Sequence, residues 1–481
     1  MELVTKKAMK CIQEADVIVY DNLIDISLLN YASLNTELIY AGKEAANHYL
    51  SQGSIIELLM DKAREGKYVV RLKGGDPYLF GRGSEEALAL KEAGISYEVV
   101  SGVTSSIAVP AYAGIPVTDR RFVSSCHIIT AHREDEAGID FENISKLEGT
   151  LVFMMGLAKL HHILQGLTLH GKASDTPVAV LSDGSRYNRR KCVGTLADIE
   201  EKVKGAKLLP PAIIVVGEVV SLSNELDNFL ERYSDKKLFR KKILLTGTRY
   251  ICNKIKVALA DEGCDIDEIS IIESVPIESD FYNNIEKYIE SHDYLVFSSA
   301  NGIRVFFEKL KELHNVDLRK LSNIKFAVIG KGSAQTLRNY GYIADFVPSS
   351  FSNKDLAVEL CKQLKGEKLL LLRAREASAE LVEELEANKV KYTDVPLYET
   401  FRDYRRTFDI KRLIKNYDYV VVASSITAHT LCEMVEDKAL LEGRVVSIGP
   451  VTTGTCKRLG VEPLMSAREY SVDGIVRVLL Q

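Results

Sequence analysis

The chain has 481 residues, which at ~100–200 residues per domain predicts about three or four domains. Hydrophobic residues make up 46% and charged residues 27%, so a core of ordinary size is available and extensive disorder is excluded. The formal net charge of -5 argues against general nucleic-acid binding, which needs a basic domain or stripe, but local basic residues could still meet an acidic small molecule.

The N-terminal segment MELVTKKAMKCIQEADVIVYD is charged and amphipathic and does not read as a signal peptide. No apolar run is long enough to span a membrane. The first strands are expected at Asp16–Tyr20 and Tyr68–Leu72, short β-branched runs, with helices at Ser54–Glu65 and Ser84–Ala93. In the second helix Ser84 is placed to cap, Glu85 and Glu86 suit the positive end, and Gly94 can stop it. Further strands are expected at Leu151–Met155, Pro177–Leu181 and Ala212–Val216. This alternation implies α/β layers. A polar stretch, Asn224–Lys242, reads as a helix and a basic link and places a boundary near Asp235. A new strand then starts at Ile243.

The second half repeats itself. DYLVFSSANGIRVFF, FAVIGKGSAQTLRNYG and FSNKDLAVEL are followed later by DYVVVASSITAHTL, VVSIGPVTTGTCKRLG and YSVDGIVRVLL. Gly330 to Gly341 and Gly449 to Gly460 span 11 residues each, as do Gly341 to Ser352 and Gly460 to Ser471. Matched spacing implies two similar α/β lobes. Ligands of open α/β sheets bind beyond the carboxyl ends of the strands.

The eight cysteines include no C-x-x-C pair and none at metal-ligand spacing from a histidine, which fits a reduced cytoplasmic compartment and no metal site. The most specific run in the first half is RLKGGDPYLFGRGSEEA, Arg71–Ala87. Gly74 and Gly75 let a ligand approach the backbone closely, and Asp76-Pro77 fixes a turn. GGDP alone would be a plain βα turn; joined to G-R-G and a helix start it is more specific. The run lacks the dinucleotide fingerprint and the P-loop lysine. A second run, Ser101–Arg121, joins small residues, hydroxyls, two prolines and a basic end; alone it also reads as a buried small-residue helix start.

With EADVIVYDNLI, LIYAGK, LVFMMG and PPAIIVVGEVV, these runs make Met1 to about Leu222 resemble the tetrapyrrole (corrin/porphyrin) methylase family, most of all its uroporphyrinogen-III C-methyltransferases. The resemblance implies a two-lobed domain over 1–230, with lobes of about 1–117 and 118–230, and S-adenosylmethionine held between the lobes. It implies that Gly74, Gly75, Asp76, Leu79, Thr104, Ser105, Met155, Gly184 and Ala212 line the cofactor site. It makes Asp21 the proton acceptor and Lys43 the proton donor, because a pyrrole methylated at carbon becomes cationic and must lose a proton. On residue type alone Asp21 is a strand-end turn carboxylate and Lys43 a solvated lysine. Arg82, Arg120 and Arg121 are expected carboxylate clamps for a polycarboxylate substrate, though an arginine after a turn is often only solvated. His48 and the His161-His162 pair read as surface or packing residues. In the family a strand and a G-x-G-P-G-D loop precede the segment that opens this sequence, so the first lobe is expected to lack one parallel strand and part of the cofactor cradle. Ser84 also stands where the family more often has glycine.

Residues from about Lys241 to Gln481 resemble uroporphyrinogen-III synthase through ILLTGTR, FSSANGIRVFF, VIGKGSAQTLRNYG, LLLLRAREASAELVEELE, VPLYET, VASSITAHTL and SIGPVTTGTCKRLG. The resemblance implies a bilobal α/β fold over 241–481, with one lobe from 241–276 plus 400–481 and the other from 277–399. It implies closure of hydroxymethylbilane without a cofactor, mostly by holding a flexible polyanion in shape. Ser298, Ser299, Asn301, Ser333, Ser424, Ser425, Thr452 and Thr453 are the expected substrate-binding residues, and Tyr398 is expected to assist loss of the hydroxyl. Taken singly, such hydroxyls are ordinary helix caps, and Tyr398 reads equally well as a hinge-packing aromatic.

The two resemblances imply consecutive steps, bilane to uroporphyrinogen III and then to precorrin-2, on the sirohaem or cobalamin branch. They imply tetrapyrrole partners, no nucleic acid, no membrane, and a homodimer through the methylase half. A synthase with an inactive truncated methylase half, and a cytosolic tetrapyrrole-binding or sensor protein, are the alternatives.

Overall fold

The computed structural model describes residues 2–42, 50–132, 138–313, 317–350 and 352–481. Its first sheet is parallel and ordered β2-β1-β3, from β1 (Val17–Tyr20), β2 (Glu37–Tyr40) and β3 (Val69–Leu72). All four residues of β1 are buried, which is why its sequence is continuously apolar rather than alternating. Among the described residues β3 pairs only with β1, and the strand-like run Tyr97–Val100 forms no strand. Among the described residues the sheet of this lobe has three strands.

The second sheet runs β4-β5-β8-β6-β7, from β4 (Cys126–Thr130), β5 (Thr150–Met154), β6 (Pro177–Ser182), β7 (Arg190–Thr195) and β8 (Ala212–Val216). Leu151, Phe153, Val178, Val180, Ile214 and Val216 pack on Ile163, Leu164 and Leu167 of the helix Leu160–Leu169. Strand limits in this half fall within a residue of the expected ones. So do those of the helix expected at Ser84–Ala93, but Ser84 does not cap it. The helix is Gly83–Glu92, and the residue before it is Arg82 in the left-handed region (φ 57), with no side-chain cap. Gly83 N–H instead donates to Pro77 O at 3.0 Å, so the preceding turn sets the start. Gly94 (φ 70) follows the helix end, as expected.

The stretch Asn224–Lys242 is less of a solvated link than its charge implied. It contains two short helices, Ser223–Leu226 and Phe229–Tyr233, and buries Phe229 and Leu238. Phe229 stacks near Tyr187, Tyr233 and Phe239, with the Arg189 guanidinium 3.7 Å from its ring centroid. The charged residues of the stretch mask an aromatic face in the sequence.

After β9 (Lys242–Gly247) and β10 (Asp265–Ser270) the chain enters a second compact unit, Ser270–Tyr404 with His429–Leu431. Its sheet is ordered β11-β15-β14-β12-β13, from β11 (Ile272–Pro276), β12 (Tyr294–Phe297), β13 (Lys325–Val328), β14 (Leu369–Ala374) and β15 (Tyr392–Arg402). The chain then returns to the first unit with β16 (Tyr419–Val422), β17 (Val445–Ser447) and β18 (Met465–Ser466), giving the order β10-β9-β16-β17-β18. The crossovers fall near 270 and 404 rather than 276 and 400, because β11 pairs antiparallel with the end of β15. The first unit is not 1–230 alone: Met1–Ile269 packs together with Arg405–Ala428 and Cys432–Gln481.

The internal repeat is structural. Ser299 accepts from Gly302 N–H at 3.0 Å at the start of the helix Ala300–Glu312, and Ser424 accepts from Thr427 N–H at 3.1 Å at the start of Ser425–Val435. Ser352 and Ser471 cap Asn353–Cys361 and Val472–Leu479, each at 3.0 Å.

Candidate functional site

In the first unit a cleft of about 1790 Å³ opens at the carboxyl ends of β3, β5 and β6. Its walls include Leu72, Gly74, Gly75, Ser105, Met155, Leu181, Gly184 and Ala212. The glycines make the wall close. A Cβ on Gly102 would sit 2.2 Å from Gly75 O, one on Gly74 2.8 Å from Leu23 O, and one on Gly184 2.2 Å from Val109 Cγ1. A Cβ on Gly75 would meet only ordinary contacts, the nearest Val103 O at 3.9 Å, so there it is the left-handed backbone (φ 79) and not crowding that favours glycine. Such a cradle fits a ligand whose polar groups bond to main chain and whose apolar part lies against Met155 and Leu181.

Six of the nine expected cofactor residues line this cleft: Gly74, Gly75, Ser105, Met155, Gly184 and Ala212. Asp76, Leu79 and Thr104 are not among its lining residues. The Asp76 carboxylate fixes the turn, accepting from Tyr78 N–H at 2.9 Å and Gly102 N–H at 3.2 Å. Thr104 caps the helix Ser105–Tyr112. Gly102 was not singled out in the sequence; its only signal was its place in SGVTSS.

Asp21 stands beside the cleft at the end of β1. One carboxylate oxygen accepts from Leu23 N–H at 3.0 Å and the other pairs with Arg71 at 3.1 Å. Arg71 also reaches Glu86 at 3.4 Å, and Lys73 reaches Glu86 at 3.1 Å. Burial, aided by the like charge of Arg71 and opposed by Glu86, holds the Lys73 ammonium below its usual range. Glu86 is therefore the buried hub of a charge network and not simply an acid at a helix start. Arg71 on β3 and Lys73, just past its end, are two residues apart, so period-two alternation puts them on one side, a legible signal. Lys43 and His48 lie outside the described residues.

The expected carboxylate clamps lie elsewhere. Arg82 is exposed and forked onto Glu85, with both bonds at 2.8 Å, and Arg121 is forked onto Asp119 at 3.0 and 3.1 Å. Arg120 is exposed, and none of the three lines the cleft. His161 meets Glu200 at 2.8 Å on the surface, and His162 packs edge-on against Phe141.

In the second unit Tyr398 is buried on β15, and its hydroxyl lies 2.8 Å from Ser299 Oγ. Asn301 donates to Ser274 Oγ at 3.0 Å and accepts from Arg304 at 2.7 Å. Burial raises the Tyr398 phenol above its ordinary range, against the pull of Ser299 and Arg304. Ser298, half-buried, precedes this cluster directly. Arg304, one helical turn beyond Asn301, is a member that sequence reasoning missed.

The corresponding face of the first unit carries Ser424 (2.7 Å from Thr427 Oγ1), Ser425 (3.0 Å from Thr455 Oγ1) and Thr453 (2.6 Å from both Ser447 Oγ and Ser466 Oγ). Arg458 reaches Thr455 at 3.1 Å. Ser333 and Thr452, expected to bind substrate, are both buried. Ser333, Thr336 and Leu337 form the packed stripe of Lys331–Asn339, and Thr452, Thr455 and Cys456 form that of Pro450–Arg458. The repeat preserved these two residues as small packing groups beneath the helices.

Residues 1–200 match the tetrapyrrole (corrin/porphyrin) methylases, and residues 253–477 match the uroporphyrinogen-III synthase HemD. A porphyrin biosynthesis protein HemD from Ruminiclostridium josui is 35% identical over 100% of this chain and 95% of its own. This chain is a tetrapyrrole methylase fused to a uroporphyrinogen-III synthase of the HemD family. An S-adenosyl-L-methionine-dependent uroporphyrinogen III methyltransferase from Methanosarcina barkeri is 50% identical over 47% of this chain and 89% of its own. The crystal structure of a uroporphyrin-III C-methyltransferase from Thermus thermophilus, complexed with S-adenosyl homocysteine, is 34% identical over 46% of this chain and 94% of its own, with a TM-score of 0.40. The fusion is thus an enzyme of tetrapyrrole biosynthesis with one methyltransferase and one synthase domain. All eight of its cysteines are free thiols. Among the described residues no helix is long and apolar enough to cross a membrane, and no His/Cys/Asp/Glu group could hold a metal ion.

Proposed function

We propose that this chain closes hydroxymethylbilane to uroporphyrinogen III, inverting one pyrrole, and then methylates the product twice to give precorrin-2, in the cytoplasm and on the sirohaem or cobalamin branch. The observation that carries the reading is the pairing, in one chain, of a glycine-walled cleft beside the Asp21–Arg71 pair with a buried Tyr398–Ser299 pair in the synthase half.

Gly74, Gly75, Ser105, Met155, Gly184 and Ala212 would hold S-adenosylmethionine, which supplies an electrophilic methyl group when bound. Asp21 takes the proton that the methylated pyrrole must lose, with Arg71 fixing its orientation. Lys43 is the proposed proton donor. In the synthase half, hydroxyls and helix-start amides at Ser298, Ser299, Asn301, Ser424, Ser425 and Thr453 bind the bilane carboxylates, and Tyr398 donates a proton to the departing hydroxyl.

The clearance at Gly102 yields one expected result. In Gly102→Ala the new methyl must displace the Gly75 carbonyl, so S-adenosylhomocysteine binds roughly tenfold more weakly by calorimetry, equivalent to about 1.4 kcal/mol. An unchanged affinity would remove this turn from the cofactor site. The Tyr398 phenol yields another. Because its pKa is raised, it stays protonated as pH climbs and is lost as an acid only above the ordinary tyrosine value of about 10. Tyr398→Phe therefore slows cyclisation by roughly 10²-fold and abolishes that alkaline limb; a variant with wild-type rate and profile leaves Tyr398 as packing.

Asp76, Leu79 and Thr104 lie outside the cleft lining, which favours a second reading, a synthase with a silent methylase half. Hydroxymethylbilane and S-adenosylmethionine given together to the purified chain decide between the two. Precorrin-2 supports both activities, uroporphyrinogen III without added methyls leaves the synthase alone, and isomer I alone overturns both.

A further inference from the structure

We propose that the synthase half supplies positioning residues for methyl transfer, with Arg412 and Asp265 holding the two loops that carry Asp21 and Gly184. The proposal rests on the methyl-transfer reading above.

Arg412 lies on the helix Thr407–Leu413, which belongs by sequence to the synthase. One guanidinium nitrogen donates to Asn22 Oδ1, directly after Asp21, and the other donates to Asp409 at 3.4 Å. The guanidinium also stands 4.6 Å from the ring centroid of Tyr40, the last residue of β2, and Phe408 lies 4.9 Å from the same ring. Tyr20, the last residue of β1, donates to Asp409. One short helix of the synthase half thus grips the ends of both strands that lead to the proposed acid–base pair, Asp21 and Lys43.

A second contact holds the opposite wall. The loop from Asp183 to Arg189 carries Gly184 and joins β6 to β7. Asp265 at the start of β10 accepts from Tyr187 N–H at 2.9 Å and from Asn188 N–H at 3.2 Å. Asp267, two residues on, takes Arg186 at 3.3 Å and the Tyr417 hydroxyl at 2.9 Å. Asp265, Ile266 and Asp267 line the same cleft as Gly74 and Gly184. Loops are otherwise the least constrained parts of such a site, and a misplacement of about 1 Å can cost ~10²-fold in rate. The synthase chemistry proposed above uses neither Arg412 nor Asp265.

The test uses the full chain and two substitutions whose kinetic signatures should differ. Arg412→Ala should lower kcat for methyl transfer roughly tenfold with KM for S-adenosylmethionine unchanged. Asp265→Ala should raise that KM and weaken S-adenosylhomocysteine binding roughly tenfold. Both should cyclise bilane at the wild-type rate, and Asp265→Asn, which keeps one acceptor, should recover part of the loss. Wild-type methyl-transfer constants in both variants overturn the proposal, as does a parallel loss of methylation and cyclisation, which signals general destabilisation. A wild-type chain that neither methylates nor binds S-adenosylhomocysteine overturns the methyl-transfer reading itself; intact wild-type activity with silent variants overturns this proposal alone.

Discussion

Asp21→Asn lowers methyl transfer by roughly 10²–10⁴-fold and leaves bilane cyclisation at the wild-type rate. Asparagine matches the size of the side chain and can still accept from Leu23 N–H, now at 3.0 Å, so the turn after β1 survives. Arg71 loses its partner at 3.1 Å but keeps Glu86 at 3.4 Å, Leu72 O at 3.0 Å and Val19 O at 3.3 Å, so no cation is orphaned. What the substitution removes is the ability to take up a proton. The loss should therefore appear in kcat, measured as labelled methyl incorporation with both substrates saturating, while S-adenosylhomocysteine affinity stays unchanged. A variant at full rate would reduce Asp21 to a strand-end turn residue; one that also lost cofactor binding would point to collapse of the β1 turn.

What the sequence made legible was local. Apolar β-branched runs placed β1, β3, β5, β6, β8 and β9 because a strand buried between layers has to be apolar throughout. The repeat in the second half survived as paired caps at Ser299 and Ser424, since capping depends on a residue and its own helix. Half of the same logic failed at Ser84. Its position favoured a cap, but the GGDP turn before it delivers Arg82 in a left-handed conformation and starts the helix one residue early. Ser333 and Thr452 show another limit of sequence reading. A hydroxyl near a helix start can face a ligand or the sheet beneath, and only the packing stripe shared with Leu337 and Cys456 decides which.

The least legible features join residues far apart in the chain. Glu86 bonds to Arg71 and Lys73 from a separate element, so its pattern in the sequence is only that of an acid in a first turn. Arg406, Asp409 and Arg412 are spaced i, i+3, i+6, which ordinarily marks a solvated charge ladder. Here the carboxylate is met by Tyr20, 389 positions earlier. Periodicity reports that a helix has a charged face. Which surface that face meets depends on shapes that two separate segments acquire only on folding.

That buried ladder carries the largest expected effect on stability. Asp409→Ala destabilises the first unit by about 3–5 kcal/mol, because removing one partner of a buried pair leaves an uncompensated charge. Asp409 is 0% and Arg406 1% exposed. Asp409 accepts from Arg406 Nε at 3.1 Å and from the Tyr20 hydroxyl at 3.1 Å to each oxygen. Without it, the Arg406 bonds that remain are to Asn30 Oδ1 at 2.7 Å and Ile26 O at 3.1 Å, neutral acceptors that solvate a cation less well than a carboxylate. The Tyr20 phenol, held well above its ordinary pKa by burial and then by Asp409, stays protonated and loses its acceptor. The urea midpoint for the first unit, followed by circular dichroism, should fall accordingly; a wild-type midpoint would mean that water reaches the vacated site and solvates both groups. Replacing the most buried members together should behave differently. Arg406→Met, Asp409→Leu and Tyr20→Phe remove the Arg406–Asp409 pair and the stranded hydroxyl, leave Arg412 its bond to Asn22, and should recover most of the loss. If that triple variant proves as stable as wild type yet methylates more slowly, the charges serve to fix the register of the helix Thr407–Leu413 against β1, since apolar packing alone would hold the surfaces together without specifying where the strand ends lie.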